Sequence, residues 1–316
     1  MRVAVVGAGL AGLVAARRLS SEHEVVVFDK GRSVGGRLAT RRIGSARLDH
    51  GAQFFTARGD AFRRQVDDWV ARDIARVWCH GFADTPDGHP RYCGTSGMNT
   101  LAKDLATGLD CLTSRLVFSC RPTEAGWDVV IDDGVVHEVD ALVLTCPVPQ
   151  SWALLVQAQL GVPDALFRRE YHRTIGLLTV LDGPSAVPSP GGVQFDPTDA
   201  DAPFGFIGDN HAKGISPVPA VTFHATQPWS SDHWDDDTDS LRDLLLERAR
   251  PWLGEASVTD VQVKKWRFAG PVEPWPDPCW VNEEHRVVLA GDLFAGPKVE
   301  GAFDSGVAAA SAVAAM

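Results

Sequence analysis

The chain has 316 residues, 45% hydrophobic and 22% charged, which is enough for two packed domains with cores of their own. Its 41 acidic against 30 basic side chains leave a net charge of -11, which repels nucleic-acid backbones and anionic membrane surfaces. The six cysteines, at 79, 93, 111, 120, 146 and 279, form no C-x-x-C pair and no metal-ligand spacing, so neither a disulfide framework nor a metal site is expected.

The first element, "RVAVV", is a β-branched run suited to a parallel strand buried on both faces, and "LAGLVAARRLSS" follows with helical spacing. No charged leader with an apolar region precedes the strand, and no apolar run of about 18 residues comes later. A cytoplasmic, membrane-free monomer is expected. In the turn between strand and helix, Gly7 permits the tight bend, Gly9 lets the backbone approach a pyrophosphate, and Gly12 lets helix and strand pack closely. A second strand, "EVVVFD", ends in Asp29, where a carboxylate bonds the ribose hydroxyls of an adenosine. A dinucleotide site is predicted, and this unit alone does not say which dinucleotide.

"GRSVGGRLATRR" comes directly after Asp29 and has no counterpart in a plain NAD domain. Its paired glycines, with Gly36 next to Arg37, suit a second backbone approach to a pyrophosphate with a fixed cation beside it. Arg41 and Arg42 read as a solvated basic loop. After a short strand at "GAQFF", the stretch "DAFRRQVDDWVARDIARVW" puts Phe62, Val66, Trp69, Val70 and Val77 on one stripe of a packing helix. "SRLVFSCR", "WDVVI" and "VVHEV" are short strands, and "ALVLTCPVP" is a buried strand returning to the nucleotide sheet. From 151 to 275, strands such as "TIGLLTVL" and "AVTFHAT" mix with the helix "DSLRDLLLERARPWL". "GPSAVPSPGGVQFDPTDADAP" is a connector, and "DDDTD" a solvated helix start. Near the other end, "RVVLAGDLFAGPKVEGAFDSGVAAAS" repeats the strand, glycine, acid, helix order. Asp292 after Gly291 can bind ribityl hydroxyls, and the helix start near Glu300, Gly301 and Ala302 can face the N1/O2 edge of a flavin. The three stretches together resemble those of FAD-binding oxidoreductases of the amine-oxidase superfamily.

Within that superfamily, "FDKGRSVGGRLATRR", "LDHGAQFFTAR", "CGTSGMNTLAKDLA", "FSCRPTE", "HATQPWS", "KKWRFAGP" and "GDLFAGPKVEGAFDSG" occur in the order found in renalase and its bacterial relatives. The resemblance implies an α/β, p-hydroxybenzoate-hydroxylase-like fold. A Rossmann-type FAD-binding domain (1–58, 93–150 and 276–316) would carry an inserted α+β substrate domain (59–92 and 151–275). It implies noncovalent FAD, oxidation of misreduced dihydro-isomers of NAD(P)H to NAD(P)+, and reoxidation by O2 giving hydrogen peroxide. It carries cofactor contacts to Leu10, Ala11, Lys30, Gly51, Ala52, Gln53 and Phe54, and an adenine contact to Pro122. There the chain departs from the family, because proline has no N–H to give.

His224 and Trp266 match family positions lining the flavin face, as groups that position the substrate; no acid, base or nucleophile is predicted, since the flavin carries the redox chemistry. Asn210 could reach a substrate amide but reads better as a surface-turn residue, and Lys298 either approaches the reduced flavin or is solvated. Two alternatives stay open. An amine oxidase or desaturase of this fold would need an aromatic cage that a chain with two tyrosines, Tyr92 and Tyr171, builds with difficulty. A flavin-free binding protein of this fold is opposed by Gly36, Arg37, Gly291 and Asp292.

Overall fold

The computed structural model of the chain describes residues 1–82 and 87–316. Strand Arg2–Val6 lies inside a six-stranded sheet, and its alternation decides the two faces. Val3 and Val5 enter one core, Ala4 and Val6 the other, and none is more than 5% exposed. Burial on both faces is what an uninterrupted β-branched run at the middle of a parallel sheet produces. Along the sheet the order is 280–282, 287–289, 141–144, 2–6, 24–29, 110–113, parallel except for the edge strand Trp280–Asn282.

Helices Leu10–Leu19 and Val299–Ala314 cover one face side by side. Their approach is so close that a Cβ on Gly306 would lie 2.4 Å from the Ala11 carbonyl oxygen. Helix Asp60–Ala71 buries Phe62, Val66 and Trp69 in this same core. That corrects the expected grouping of 59–92 with the substrate domain: the amphipathic stripe was legible, but the core that receives it is the nucleotide sheet's. Residues 83–86 of that span lie outside the described residues. The other face is covered by a three-stranded antiparallel sheet, 117–122, 127–131 and 136–139, which contributes Val117, Trp127, Val129 and Ile131.

The second sheet is antiparallel, ordered 192–194, 204–209, 220–225, 171–181, 258–271. Helix Thr238–Leu253 packs Leu241, Leu245, Ala249 and Leu253 against one face, and the Asp237 carboxylate caps it by accepting from the N–H groups of Asp239 and Ser240 at 3.0 Å each. The predicted strand at "GAQFF" is not formed. Residues 51–54 are irregular, and only Phe55 makes a bridge, with Tyr92. Among the described residues, no helix is long and apolar enough to cross a membrane. All six cysteines are free, and burial pushes every thiol above its ordinary value, Cys146 up to about 11 and Cys120 up to about 12.

The strand-to-helix turn is the tightest point of the fold: a Cβ on Gly12 would sit 1.9 Å from the Gly7 carbonyl oxygen. Gly12→Ala should therefore lower stability by at least about 2 kcal/mol through overpacking against rigid backbone. The check is the urea midpoint, and a variant unfolding with the parent would show that the turn has room the structure does not give it.

Candidate active site

Open α/β sheets bind ligands at the carboxyl ends of their parallel strands. Here those ends deliver the turns at 7–9, 29–31, 145–147 and 291–292 to one crevice. Gly7 has φ +108° and a Cβ on it would meet the Thr145 hydroxyl oxygen at 2.6 Å, so the protein's own packing requires a glycine there. Gly9 differs. Its φ is an ordinary -75° and nothing lies within 4 Å of a built Cβ, so it leaves open space at the start of helix Leu10–Leu19. That helix has no side-chain cap and no acid in its first turn, which leaves the N–H groups around Leu10 and Ala11 for an anion. Across the gap Gly36, at φ +52°, would bring a Cβ to 3.4 Å from the Gly9 Cα, so two glycine turns face each other.

Asp29 stands at the lip. Its carboxylate accepts from the N–H groups of Ala8 at 2.7 Å and Gly31 at 2.6 Å, fixing both turns while its remaining lone pairs stay available to ribose hydroxyls. Lys30 is exposed, with its Nζ 3.3 Å from the Gln150 side-chain oxygen. Arg37 and Asp292, predicted separately as pyrophosphate and ribityl partners, meet in a bidentate ion pair at 2.5 and 2.7 Å.

One predicted contact is corrected. Pro122 pairs with Trp127, whose next neighbour across the sheet, Val139, precedes Asp140, and the Asp140 N–H bonds the Arg2 carbonyl. Pro122 therefore lies at the amino end of the parallel strands, opposite the crevice. The segment beside Asp29 is 114–115, where Arg115 donates its N–H to the Asp29 carbonyl. The Glu300 carboxylate accepts from the N–H groups of Arg58 at 3.0 Å and Gly59 at 2.5 Å, just ahead of helix Asp60–Ala71. What helix Val299–Ala314 can offer a ligand is its backbone start around Gly301 and Ala302. Gly301 is held as glycine by the Gly296 carbonyl oxygen, 2.2 Å from a built Cβ. Lys298 is exposed.

Between the two sheets runs the loop 49–54. Gly51 lies so close to Arg37 that a Cβ would meet its carbonyl oxygen at 2.0 Å, and the Ala52 N–H bonds that same oxygen at 2.8 Å, which stitches this loop to the Gly36–Arg37 turn. The His50 carbonyl accepts from Trp266 Nε1 at 2.7 Å and from His224 Nε2 at 3.1 Å. The two residues predicted at the flavin face thus converge on one atom of the predicted loop. Because a carbonyl only accepts, His224 carries its proton on Nε2. The His50 ring stacks on Trp266 at 5.2 Å between centroids. Burial lowers both imidazoles to about 4: for His50 the nearby His224, Lys264 and Arg41 add to it, and for His224 its bond to the His50 carbonyl partly opposes it.

Sequence reasoning missed what holds this loop. Asp49 and Lys213 form an ion pair at 2.7 Å with neither side chain exposed, and Lys213 also donates to the Gln53 carbonyl. The other Asp49 carboxylate oxygen accepts from the Thr40 hydroxyl at 2.6 Å and the Met98 N–H at 2.8 Å. Asn210, expected on the surface, is fully buried: its side-chain oxygen takes the Asp49 N–H at 3.1 Å and its amide donates to the Thr222 hydroxyl at 3.0 Å. It is a structural partner of the loop. The only local signal is a polar "DNHAKG" turn between apolar strands.

His50 Nδ1 and the Gln53 side-chain oxygen are buried without a partner. Such atoms are rare in folded proteins and mark a place where a polar group belongs. With the open space at Gly9, the facing Gly36 turn and the uncapped helix start, they are groups that would hold a flavin nucleotide.

Removing Lys213 strands a buried carboxylate, so Lys213→Met should cost about 3–5 kcal/mol, and adding Asp49→Asn should recover part of it. Urea unfolding of both variants checks this, and strictly additive losses would deny the coupling. The imidazoles give a second prediction. In the unfolded chain they protonate near 6.5, in the folded protein near 4. Their contribution is complete above about pH 6.5 and is lost as pH falls toward 4, by up to about 3 kcal/mol each. Urea midpoints at pH 7.5 and 5 should differ accordingly, and the double variant His50→Gln/His224→Asn should flatten the difference.

Residues 5–69 match the family model of an NAD(P)-binding Rossmann-like domain, and residues 73–314, more than half of the chain, match that of flavin containing amine oxidoreductases. Over 60 residues, 19% of this chain and 13% of the other, it is 48% identical to a provisionally named flavin-containing monoamine oxidase, AofH, of Mycobacterium tuberculosis. Over 39 residues, 12% of this chain and 8% of the other, it is 54% identical to a 4,4'-diapophytoene desaturase of Staphylococcus aureus. The matched stretches cover a small fraction of either relative's length. A solved structure, a provisionally named protoporphyrinogen oxidase from Exiguobacterium sp. 255-15, superposes with a TM-score of 0.74 over 99% of this chain and 98% of the other, at 12% identity, a likeness of fold. The chain belongs to the flavin containing amine oxidoreductase family, with FAD as its cofactor.

Proposed function

We infer that the chain is a renalase-like FAD-dependent oxidase that returns misreduced dihydro-isomers of NAD(P)H to NAD(P)+, with O2 as acceptor and hydrogen peroxide as product. The observation that carries this reading is the junction at the His50 carbonyl, where two imidazoles held neutral by burial and an indole meet, and the adjoining carboxylate, Asp49, is locked to Lys213. When bound, FAD supplies the two-electron acceptor and the route to O2. Loss of hydride from a dihydropyridine needs no base, because the ring nitrogen's lone pair completes an aromatic cation. That cation forms beside His50 and His224. A like charge at about 4 Å costs roughly 4 kcal/mol at an effective dielectric near 20, and imidazoles held at about 4 escape it by staying neutral at pH 7. Trp266 and His224 then serve to position the substrate ring and to exclude water.

A second reading, oxidation of an amine or desaturation of an isoprenoid chain, is favoured by the apolar group of Phe54, Trp78, Phe82 and Phe206 that packs on the loop, and by the names of the monoamine oxidase and desaturase relatives. Against it, Tyr92 stacks on Phe55, and the Tyr171 oxygen, near Arg37 and Asp292, already accepts from the Val148 N–H.

The two readings part in anaerobic mixing. Dihydro-NAD isomers should bleach the flavin quickly, and His224→Asn or Trp266→Ala should slow that step by up to about 100-fold through misplacement near 1 Å, with reoxidation by O2 little changed. The reduction rate should show no titration assignable to His224. Efficient bleaching by a simple amine, or a sharp pH-dependent step lost with His224, would move the assignment to the amine reading.

A further inference from the structure

The hairpin of Thr40–Ile43 and Ala46–Asp49 faces the start of helix Asn99–Ala106 across a cavity of about 160 Å³ on the outer side of the Asp49 network. Arg42, Arg47 and Lys103 line it. In a chain of net charge -11 such cations ordinarily find carboxylates, yet none of these three pairs with one among the described residues, and no acid lines the cavity. Arg42 and Arg47 also stand directly opposite each other in the hairpin register. Like charges at that position are destabilising, and no carboxylate among the described residues offsets them.

Neutral donors complete the lining. The hydroxyls of Ser96 and Thr100 and the side-chain amide of Asn99 line the cavity and make no hydrogen bond among the described residues. The N–H groups at the start of helix Asn99–Ala106 are already taken, Met98's by the Asp49 carboxylate and Asn99's by the Thr40 hydroxyl, so the positive field of the cavity comes from its three cations. A phosphate group carries about -1.5 to -2 at pH 7 and several strong acceptor oxygens. Its charge and acceptors match three cations and three neutral donors.

The geometry points to this cavity as a binding site for a single phosphate group, borne by inorganic phosphate or by a small phosphomonoester. Occupancy neutralises the Arg42–Arg47 opposition and joins hairpin to helix. Thr40 forms the back wall and spends its own hydroxyl proton on Asp49, so the site borders the loop that carries His50 without drawing on residues of the FAD crevice.

The FAD-loaded protein is titrated with inorganic phosphate, with glycerol 2-phosphate, and with potassium chloride at matched ionic strength, reading melting temperature and phosphorus-31 line width. Both phosphates should raise the melting temperature and broaden in proportion to bound fraction, while chloride does neither. The tighter of the two names the source. In Arg47→Gln/Lys103→Gln the phosphate affinity should fall at least tenfold, with flavin absorbance unchanged and a melting temperature without phosphate no lower than the parent's. Equal responses to phosphate and chloride, or equal phosphate affinity in parent and variant, overturn the site. Neither outcome bears on hydride transfer at the flavin, which is measured separately.

Discussion

The pairing of Asp49 with Lys213 is the constraint around which the site is arranged. Both side chains are withdrawn from water, and either charge alone would be several kcal/mol out of place, so two segments 164 residues apart in the chain must meet. Having met, they fix much else. Through its carboxylate, carbonyl and N–H, Asp49 holds the hairpin at Thr40, the helix start at Met98, the turn at Asn210, the strand at Thr222 and its own loop at Gln53. An apolar pair of similar volume could fill the space. It could not hold five segments in one register, because dispersion has no direction and hydrogen bonds do.

The loop so held lies where two kinds of sheet meet, and each contributes what its geometry allows. The parallel sheet gathers strand ends and so supplies turns, whose glycines admit a nucleotide backbone-first. The antiparallel sheet supplies side chains at defined heights. His224 and Trp266 come from strands on opposite sides of Tyr171–Leu181, opposite Gly176 and Thr174, an even spacing that puts both on one face. Both reach the same carbonyl, and a carbonyl has two lone pairs. The acceptor is saturated, which makes the loop a fixed wall for the substrate ring rather than an adaptable one.

How much of this was legible in the sequence follows the range of the interactions. The buried parallel strands, the glycine turn, the acid after the second strand and the cap at Asp237 are local patterns, and the fold follows them. His224 and Trp266 came from resemblance rather than periodicity, as residues of the flavin face; in the structure both donate to the His50 carbonyl. Pro122 was misplaced because its strand was tied to the crevice by the wrong end; only the pairing with Trp127 shows which end is near. Glu300 was placed by its position at a helix start, and what the sequence did not show is that its carboxylate reaches the Arg58 and Gly59 N–H groups. Asn210 and Lys213 look like ordinary turn residues until the strands on either side bring the turn over Asp49. No local rule marks a polar residue whose partner lies more than 150 positions away.

The depth at which the cysteines sit has a consequence for durability. A flavin oxidase that passes electrons to O2 releases peroxide within its own cleft, and the form of cysteine that peroxide attacks is the thiolate, which it converts to sulfenic and then to irreversible acids. Every thiol in this chain is pushed above its ordinary value by burial, including Cys146, which directly follows Thr145 at the crevice and donates weakly to the Val6 carbonyl at 3.6 Å. Held above their ordinary values, the thiols are kept in the protonated form at neutral pH. Thiols beside an oxidant are ordinarily targets; burial keeps these six in the protonated form that reacts least, and the chain carries them as small hydrophobes.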